Sequence, residues 1–512
     1  MGIVAKQTIS NIGIIFFGAF LGAINILLLF PIVLEDDQIG LTRLLITFMV
    51  IFSQLFSLGG SSMLIKFIPF FQRNKADYKG SATFIFWIGI IGFLLSIIAI
   101  LFGKPIFVHF YGENSSLFIG YLFYLIPLLF FQILINYFIA LLQAVYRSVF
   151  PLFMNEVFIR IMQSAILVLF FYELIDFEVF MILFTAIYGI TAFILFAYSF
   201  YKKEVNFQSN GQLTISDKKE IVKYGAANMI TGLAGSLTNR IDLMMIGAMV
   251  GTTSLLAENS NQGLKYITVY TIAAYMATMI EMPARALHNI ITTFISKAWK
   301  ENDLKTIDAL YKRSSITQML SGLLIFVGIW VSIDNLLVIT GKDYSEGKWV
   351  FLFLGIAKLI HLASGVNAKI INLSKYYIVS TYLMVSLVVI TFVSNLILIP
   401  IFENIPGRSG IEGAAIATSI SLLILNFVSF LFLWIKYKLQ PYNYKLILLL
   451  IIGLLIIFLN RFIPEIQNIY FDLLIRSVFV LSIFTPLVYI LKLSEDFNRL
   501  LKKSLALIKI NI

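Results

Sequence analysis

Cysteine, histidine and charge are scarce in this sequence of 512 residues: it has no cysteine, three histidines and 13% charged residues. The absence of cysteine excludes disulfides and thiolate metal sites. His109, His288 and His361 are widely separated along the chain, so a histidine metal centre is not expected. No Gly-x-x-x-x-Gly-Lys-Ser/Thr stretch occurs, which argues against a nucleotide-binding loop. The sequence therefore predicts neither a metal nor a cofactor.

Hydrophobic residues dominate the composition, at 60% of the chain with a mean hydropathy of +0.93. A soluble fold of this size could not bury so much apolar surface, so a bilayer must act as its solvent. Runs of about 20 apolar residues cross a bilayer as helices, because helices satisfy their own backbone hydrogen bonds there. The sequence predicts an all-α integral membrane protein with about fourteen spans, near residues 9–34, 41–67, 81–103, 116–143, 150–172, 177–201, 222–249, 265–293, 316–340, 348–372, 377–402, 411–435, 444–462 and 471–491.

Lysine and arginine concentrate in alternate loops of this arrangement. Cytoplasmic loops of membrane proteins carry the excess of these residues. The bias predicts that both termini are cytoplasmic, with the acidic run Glu35-Asp36-Asp37 on the outer side. The net charge of +11 is then expected to face the membrane surface, not nucleic acid.

The longest polar interruption, at about 201–223, divides the first twelve predicted helices into six and six. FIPFFQRNKAD after helix 2 resembles FISKAWKENDL after helix 8, as expected for a transporter built from repeats. We therefore predict an N-terminal lobe at 1–205 and a C-terminal lobe at 206–440, with the cytoplasmic linker between them. Helices 13 and 14 and a cytoplasmic tail would occupy 441–512.

Several basic residues lie within the predicted spans or at their ends: Arg43, Lys66, Arg160, Arg240, Arg285, Lys358, Lys369 and Arg476. A base at the centre of a membrane helix costs about 2.5–3.5 kcal/mol, so such residues normally face a wet cavity or a partner. Lys66, Lys369 and Arg476 lie near span ends, where snorkelling to the membrane surface accounts for them. The others are candidates for a polar site inside the membrane.

Two acid–base pairs have the i,i+4 spacing that favours an ion pair along a helix, namely Glu156–Arg160 and Glu281–Arg285. For each pair a structural and a functional role stay equally open. Arg240 and Asp242 are two positions apart and point to different faces of a helix, so they cannot simply neutralise each other. We predict that both face a functional cavity.

Predicted helix 10 carries polar residues at helical spacing: Lys358, His361, Gly365, Lys369 and Asn372. Such a stripe usually lines water or a polar ligand, and helix packing through Gly365 is the alternative. Cations along a cavity attract anions, and arginine can hold phosphate oxygens in a bidentate grip. An exporter of cationic drugs should instead carry carboxylates in its first lobe, and predicted helices 1 to 4 contain no Asp or Glu.

Three regions of the sequence resemble bacterial polysaccharide flippases, which belong to the multidrug/oligosaccharidyl-lipid/polysaccharide (MOP) exporter superfamily. NRIDLMMIGAMVG and YTIAAYMATMIEMPARALHNIITTFISKAW resemble the helix 7–8 region of that family. The opening IGIIFFGAFLGAINILLLFPIVLEDDQIGLTRLL resembles its first two helices, and GIEGAAIATSISLLI resembles the start of its helix 12. The resemblance covers essentially the whole chain and implies two six-helix lobes around a central cavity, plus two extra C-terminal helices.

The resemblance implies alternating access that moves a polyprenyl-diphosphate-linked oligosaccharide across a bacterial cytoplasmic membrane, for O-antigen, lipopolysaccharide or exopolysaccharide assembly. The expected substrate-binding residues are Arg43, Arg160, Arg240, Asp242, Glu281, Arg285, Lys358, His361 and Lys369. The expected partners are the lipid-linked oligosaccharide, membrane lipids, H⁺ or Na⁺ as a coupling ion, and polysaccharide assembly proteins. Three alternatives stay open: a cation-coupled multidrug antiporter, a flippase for the peptidoglycan lipid precursor, and a membrane glycosyltransferase or polymerase. The short outer loops argue against the last of these.

Overall fold

The computed structural model describes residues 3–73, 78–204, 213–251, 261–464 and 466–507. Within these ranges all regular structure is helical, which confirms the predicted all-α class. The chain divides into two compact units, Met1–Thr268 and Val269–Ile512. Residues 205–212 of the predicted linker, and residues 252–260 of the outer loop that follows, lie outside the described residues.

Among the described residues, the first unit contains twelve helices and the beginning of α13, which continues into the second unit. They are α1 (Ile3–Ile24), α2 (Phe30–Val33), α3 (Asp36–Phe56), α4 (Gly60–Arg73), α5 (Tyr78–Tyr111), α6 (Ser116–Gly120), α7 (Leu125–Ala144), α8 (Val149–Phe153), α9 (Ile159–Phe171), α10 (Phe177–Tyr201), α11 (Ile215–Thr238), α12 (Ile241–Met249) and α13 (Gln262–Met279). Two π-helical segments, at 25–29 and 154–158, join α1 to α2 and α8 to α9.

The second unit contains the end of α13 and ten further helices. They are α14 (Met282–Lys300), α15 (Leu304–Val331), α16 (Ile333–Val338), α17 (Gly347–Ala363), α18 (Asn367–Leu373), α19 (Tyr377–Glu403), α20 (Gly410–Tyr437), α21 (Tyr444–Leu459), α22 (Ile469–Ile490) and α23 (Glu495–Leu507). Here α20 packs against α17 and α19, while α15 packs against α14, α17 and α21.

Eleven helices of the described residues are long and apolar enough to cross a membrane, and each matches one of the predicted spans. A twelfth span is formed if α17 and α18, which are bent by 51° at a short break, count as one. The predicted spans near 222–249 and 265–293 are each two helices, α11 with α12 and α13 with α14. The total of fourteen spans therefore stays a prediction.

The predicted second span is also interrupted, because α3 and α4 are joined by a tight turn. Leu58 and Gly59 both have positive φ angles there, of 51° and 80°. A Cβ atom on Gly59 would lie 2.2 Å from the carbonyl oxygen of Gly225 in α11. Only glycine allows this backbone approach without a clash. The turn thereby holds α11 directly against the α3–α4 break.

Side chains of the first unit also fix α12 in place through hydrogen bonds to its backbone. The hydroxyl of Tyr111 donates to the carbonyl of Met244 at 2.9 Å, and the hydroxyl of Ser115 donates to Gly247 at 2.8 Å. Asn114 donates to the carbonyl of Ala248 at 3.0 Å. Three such bonds satisfy polar groups that would be costly to leave unpaired in an apolar environment, so they hold the C-terminal part of α12 in place.

Two glycines on α5 provide a matched test of its packing against α3. A Cβ atom at Gly92 would lie 1.8 Å from the carbonyl oxygen of Phe56, whereas one at Gly89 would lie 3.6 Å from the Ile133 side chain. We expect Gly92→Ala to destabilise the protein by about 1–3 kcal/mol, because the helices must move apart. Gly89→Ala should be neutral or stabilising, since alanine is the better helix former. Thermal unfolding of both variants in detergent measures the difference, and equal melting temperatures would contradict this packing.

Candidate functional site

Two of the interruptions in the predicted spans occur at charged residues. Arg240 occupies the turn between α11 and α12 and is the residue that precedes α12. Glu281 occupies the equivalent position before α14, and Pro283 follows in the first turn of that helix. Proline is favoured there because its missing N–H would be unpaired in any case. Both charges are thus placed where backbone groups are left free by the end of a helix.

A third interruption divides predicted helix 10 at Ser364 and Gly365, between α17 and α18. Gly365 has a φ of +59°, and its Cβ position is 3.2 Å from the carbonyl oxygen of Tyr311. A break at membrane depth is tolerated only where the backbone is buried in protein or lines a water-filled cavity. Transporters commonly build their substrate and ion sites from such discontinuous helices.

Three arginines of the first unit interact electrostatically with one buried tyrosine. Tyr188, on α10, is only 5% exposed. Arg43 on α3, Arg160 on α9 and Arg240 before α12 all interact electrostatically with its hydroxyl group. Arg43, Arg160 and Arg240, with Tyr188, are called the arginine cluster below. The fold thus brings together three candidates that are far apart in the sequence.

Arg160 is held from two sides within this cluster. Its guanidinium pairs with Glu156 at 3.1 Å, which confirms the ion pair predicted from the i,i+4 spacing. Its carbonyl accepts a hydrogen bond from Asn25 at 2.9 Å, and Ser164 donates to the Asn25 side chain at 2.7 Å. Among the described residues the Nη1 atom of Arg160 finds no hydrogen-bond partner.

The contact between Asn25 and Arg160 joins one π-helical segment to the first turn of α9, directly after the other such segment. Asn25 begins the π-helical segment at 25–29, and Glu156 lies in the one at 154–158. Such segments widen a helix by one residue per turn and occur frequently at functional sites. The pair of them beside the arginine cluster is a second indication of a site in this region.

The other members of the cluster differ in their surroundings. The Arg43 guanidinium lies over the ring of Phe30, 4.4 Å from its centroid. Arg240 is partly buried and forms no salt bridge with any residue that the structure describes. Asp242 lies in the first turn of α12 and is 8% exposed. Arg240 and Asp242 thus differ in burial as well as in their helical positions.

In the second unit, Glu281 pairs with Lys358 of α17. The Lys358 Nζ atom is 3.2 Å from the Glu281 carboxylate, and the two side chains are 17% and 14% exposed. Glu281 also interacts electrostatically with His361, whose Nδ1 atom is 3.1 Å from Oδ1 of Asn426 on α20. Glu281, Lys358, His361 and Asn426 are called the Glu281 network below. It places an acid, a base and a titratable imidazole in one partly buried group.

Two expectations for this region need correction. Glu281 lies before the first turn of α14 and forms its salt bridge with Lys358, whereas the exposed Arg285, its predicted partner, only interacts with it electrostatically. The predicted stripe on helix 10 is also wrong, since the 51° bend separates Lys358 and His361 from Lys369. Lys369 is exposed beyond that bend.

Arg476 was expected to snorkel, and this expectation is wrong as well. Its side chain is only 9% exposed and its Nε atom donates to Asp472 at 2.6 Å. The signal was present in the sequence, because Asp472 and Arg476 have the same acid-first i,i+4 spacing as Glu156 and Arg160. Tyr188, Asn25 and Asn426 could be identified only as polar residues in apolar runs, because spacing says nothing about their distant partners.

The described residues thus form long helices that are interrupted at charged residues, in a chain that the bilayer must solvate. The lipid II flippase MurJ, in an inward closed conformation, is similar over 95% of this chain and 98% of its own, with a TM-score of 0.72 and 16% identity. An inward-facing MATE-family multidrug resistance transporter of the MOP superfamily has a TM-score of 0.59 at 16% identity, over 83% of this chain and 93% of its own. A mutant of the Vibrio cholerae MATE transporter VcmN has a TM-score of 0.56 at 14% identity, over 83% and 95%.

These similarities establish the fold of the chain. No family model and no curated protein matches its sequence. The three similar structures are of a flippase and two transporters, none of them an enzyme. The chain is accordingly a multi-pass membrane protein that shares the fold of these structures.

Proposed function

We propose that this protein flips a polyprenyl-diphosphate-linked oligosaccharide, the repeat unit of a surface polysaccharide, across the bacterial cytoplasmic membrane. The arginine cluster is the observation that carries the proposal. Three arginines interact electrostatically with one buried tyrosine hydroxyl, and one of the three is paired with Glu156. A diphosphate supplies the oxygens and the negative charge that such a group of arginines is suited to bind.

The Glu281 network supports a coupled transport cycle. A partly buried carboxylate, ammonium and imidazole can exchange a proton when their surroundings alternate between wet and closed. No nucleotide-binding loop is available to drive transport, so H⁺ or Na⁺ movement, or consumption of the product, would supply the energy. Lys358 and His361, two residues of this network, lie in the last two turns of α17, before the α17–α18 break.

Two other substrates were alternatives in the sequence analysis, and one of them, lipid II, has an observation in its favour. Lipid II is named for MurJ, which is similar over 95% of this chain, compared with 83% for the two MATE transporters. A cationic drug would need an unpaired carboxylate in the first lobe. The predicted first four helices contain no Asp or Glu, which favours a lipid-linked anion over a drug.

Gene deletion tests the proposal directly. Lipid-linked repeat units should accumulate in the cytoplasmic leaflet, surface polysaccharide should be lost, and the wild-type gene should restore both. A lipid II flippase would instead cause accumulation of the peptidoglycan precursor and cell lysis. Unchanged glycan together with new sensitivity to cationic drugs would overturn the proposal in favour of the antiporter.

A further inference from the structure

A polar cavity of about 420 Å³ lies at one end of three spans in the second unit, away from the Glu281 network. It is formed where α15 and α21 end and where α22 begins. A cavity of this size is within the range of small-ligand sites. Under the predicted orientation this is the outer side of the membrane, at the depth of lipid headgroups.

The polar wall of the cavity is built around a buried ion pair. Arg476 donates to Asp472 at 2.6 Å and to Asn460 at 2.9 Å, and Asn335 also donates to Asp472. Asp472 and Arg476 are 2% and 8% exposed. Buried ion pairs contribute little net stability, so their presence alone does not explain a cavity beside them.

The charged residues that line the cavity are three bases and two acids: Lys348, Arg461, Arg476, Asp334 and Asp472. Both carboxylate oxygens of Asp334 accept from Lys348, at 2.6 and 2.8 Å. Arg461 is exposed and forms no salt bridge with a described residue. Ser332 is 4% exposed and lines the cavity, and within the described part of the chain its hydroxyl has no hydrogen-bond partner.

We propose that this cavity binds the phosphate of a membrane lipid, with Arg461 and Ser332 as direct ligands. An anion complements the excess of bases over acids in the lining, and arginine matches the geometry of phosphate oxygens. Isoleucines at positions 457, 463 and 469 line the remainder of the cavity and suit the apolar part of a lipid. Asp472 acts as a positioning residue that holds Arg476 in the wall. The inference does not depend on the cargo that the protein transports.

Binding to the purified, delipidated full-length protein can be measured by native mass spectrometry. Three probes distinguish the sources of the phosphate: phosphatidylglycerol, a diacylglycerol with the same chains, and a polyprenyl diphosphate. We expect at least one phosphate-bearing probe to bind about tenfold tighter than diacylglycerol, which is the effect of one charge-assisted contact. Preference for phosphatidylglycerol identifies a bilayer lipid, and preference for polyprenyl diphosphate identifies a lipid-linked headgroup.

Arg461→Gln should remove that tenfold preference, and Ser332→Ala should reduce it severalfold. Arg408→Gln is the matched control, because Arg408 lies in another loop on the predicted outer side and pairs with Glu412 at 2.8 Å. Arg461 is exposed, so its replacement should leave the melting temperature unchanged. Equal binding by wild-type and Arg461→Gln protein, or equal binding of diacylglycerol and both phosphate-bearing lipids, would overturn the proposal.

Discussion

Arg240→Ala is expected to lower the rate of flipping by about ten- to a hundredfold, the cost of losing a charge-assisted hydrogen bond to phosphate. Arg240 lies at the α11–α12 break within the arginine cluster, and its side chain makes no capping hydrogen bond to α12. Its removal should therefore leave the fold intact. Complementation of the deletion strain, with quantification of surface polysaccharide and lipid-linked repeat units, measures the loss.

Two further variants, Arg240→Lys and Lys265→Ala, test whether the loss is specific to the guanidinium group of Arg240. Lysine keeps the charge but not the planar fork of donors, so Arg240→Lys should recover only part of the activity. Lys265 is an exposed cation on α13 of the same unit, and its loss should have no effect. If Arg240→Ala protein reaches the membrane in normal amounts and complements fully, the arginine cluster does not bind the substrate.

Lys358→Ala is expected to destabilise the protein by about 3–5 kcal/mol, because it leaves the carboxylate of Glu281 buried without its cation. The two side chains are 17% and 14% exposed, so solvent cannot replace the lost partner. Replacing both residues, as in Glu281→Gln with Lys358→Met, should recover most of that stability. Thermal unfolding of the single and double variants in detergent measures both effects.

The same double variant separates a structural pair from a functional one. If the Glu281 network takes part in coupling, the double variant should melt like the wild type but transport at least several times more slowly. Lys312→Ala is a suitable control. Lys312 pairs with Asp308 of the same helix, α15, at 2.6 Å, and this ion pair is more exposed than that of Glu281 and Lys358. Recovery of both stability and transport would show that the ion pair serves only the fold.

Most of the apolar spans could be predicted from the sequence, although several of their limits differ from those of the described helices. Eleven predicted spans match described helices, because a run of apolar residues has to be helical in a bilayer whatever its neighbours are. The Glu156–Arg160 pair was predictable for a similar reason, since an i,i+4 contact depends on one helix alone. Local geometry is sufficient for both.

The breaks were not predicted, although weak signals existed at Pro283 and Gly365. Hydropathy averages over a whole span and cannot register a turn of two or three residues. The missed break before α14 moved Glu281 out of the helix that would have paired it with Arg285. The bend at Gly365 likewise moved Lys369 away from Lys358. Treating each of these broken spans as one continuous helix therefore predicted the wrong neighbours for their charged residues.

By itself the sequence determined that this is an all-helical membrane protein, because its composition leaves no soluble alternative. It also identified the intramembrane charges, which are conspicuous against an apolar background. Only the tertiary structure decided that Arg43, Arg160 and Arg240 all interact with Tyr188, and that Glu281 pairs with Lys358. These interactions join residues 28 to 145 positions apart, and only the packing of helices determines which of them meet.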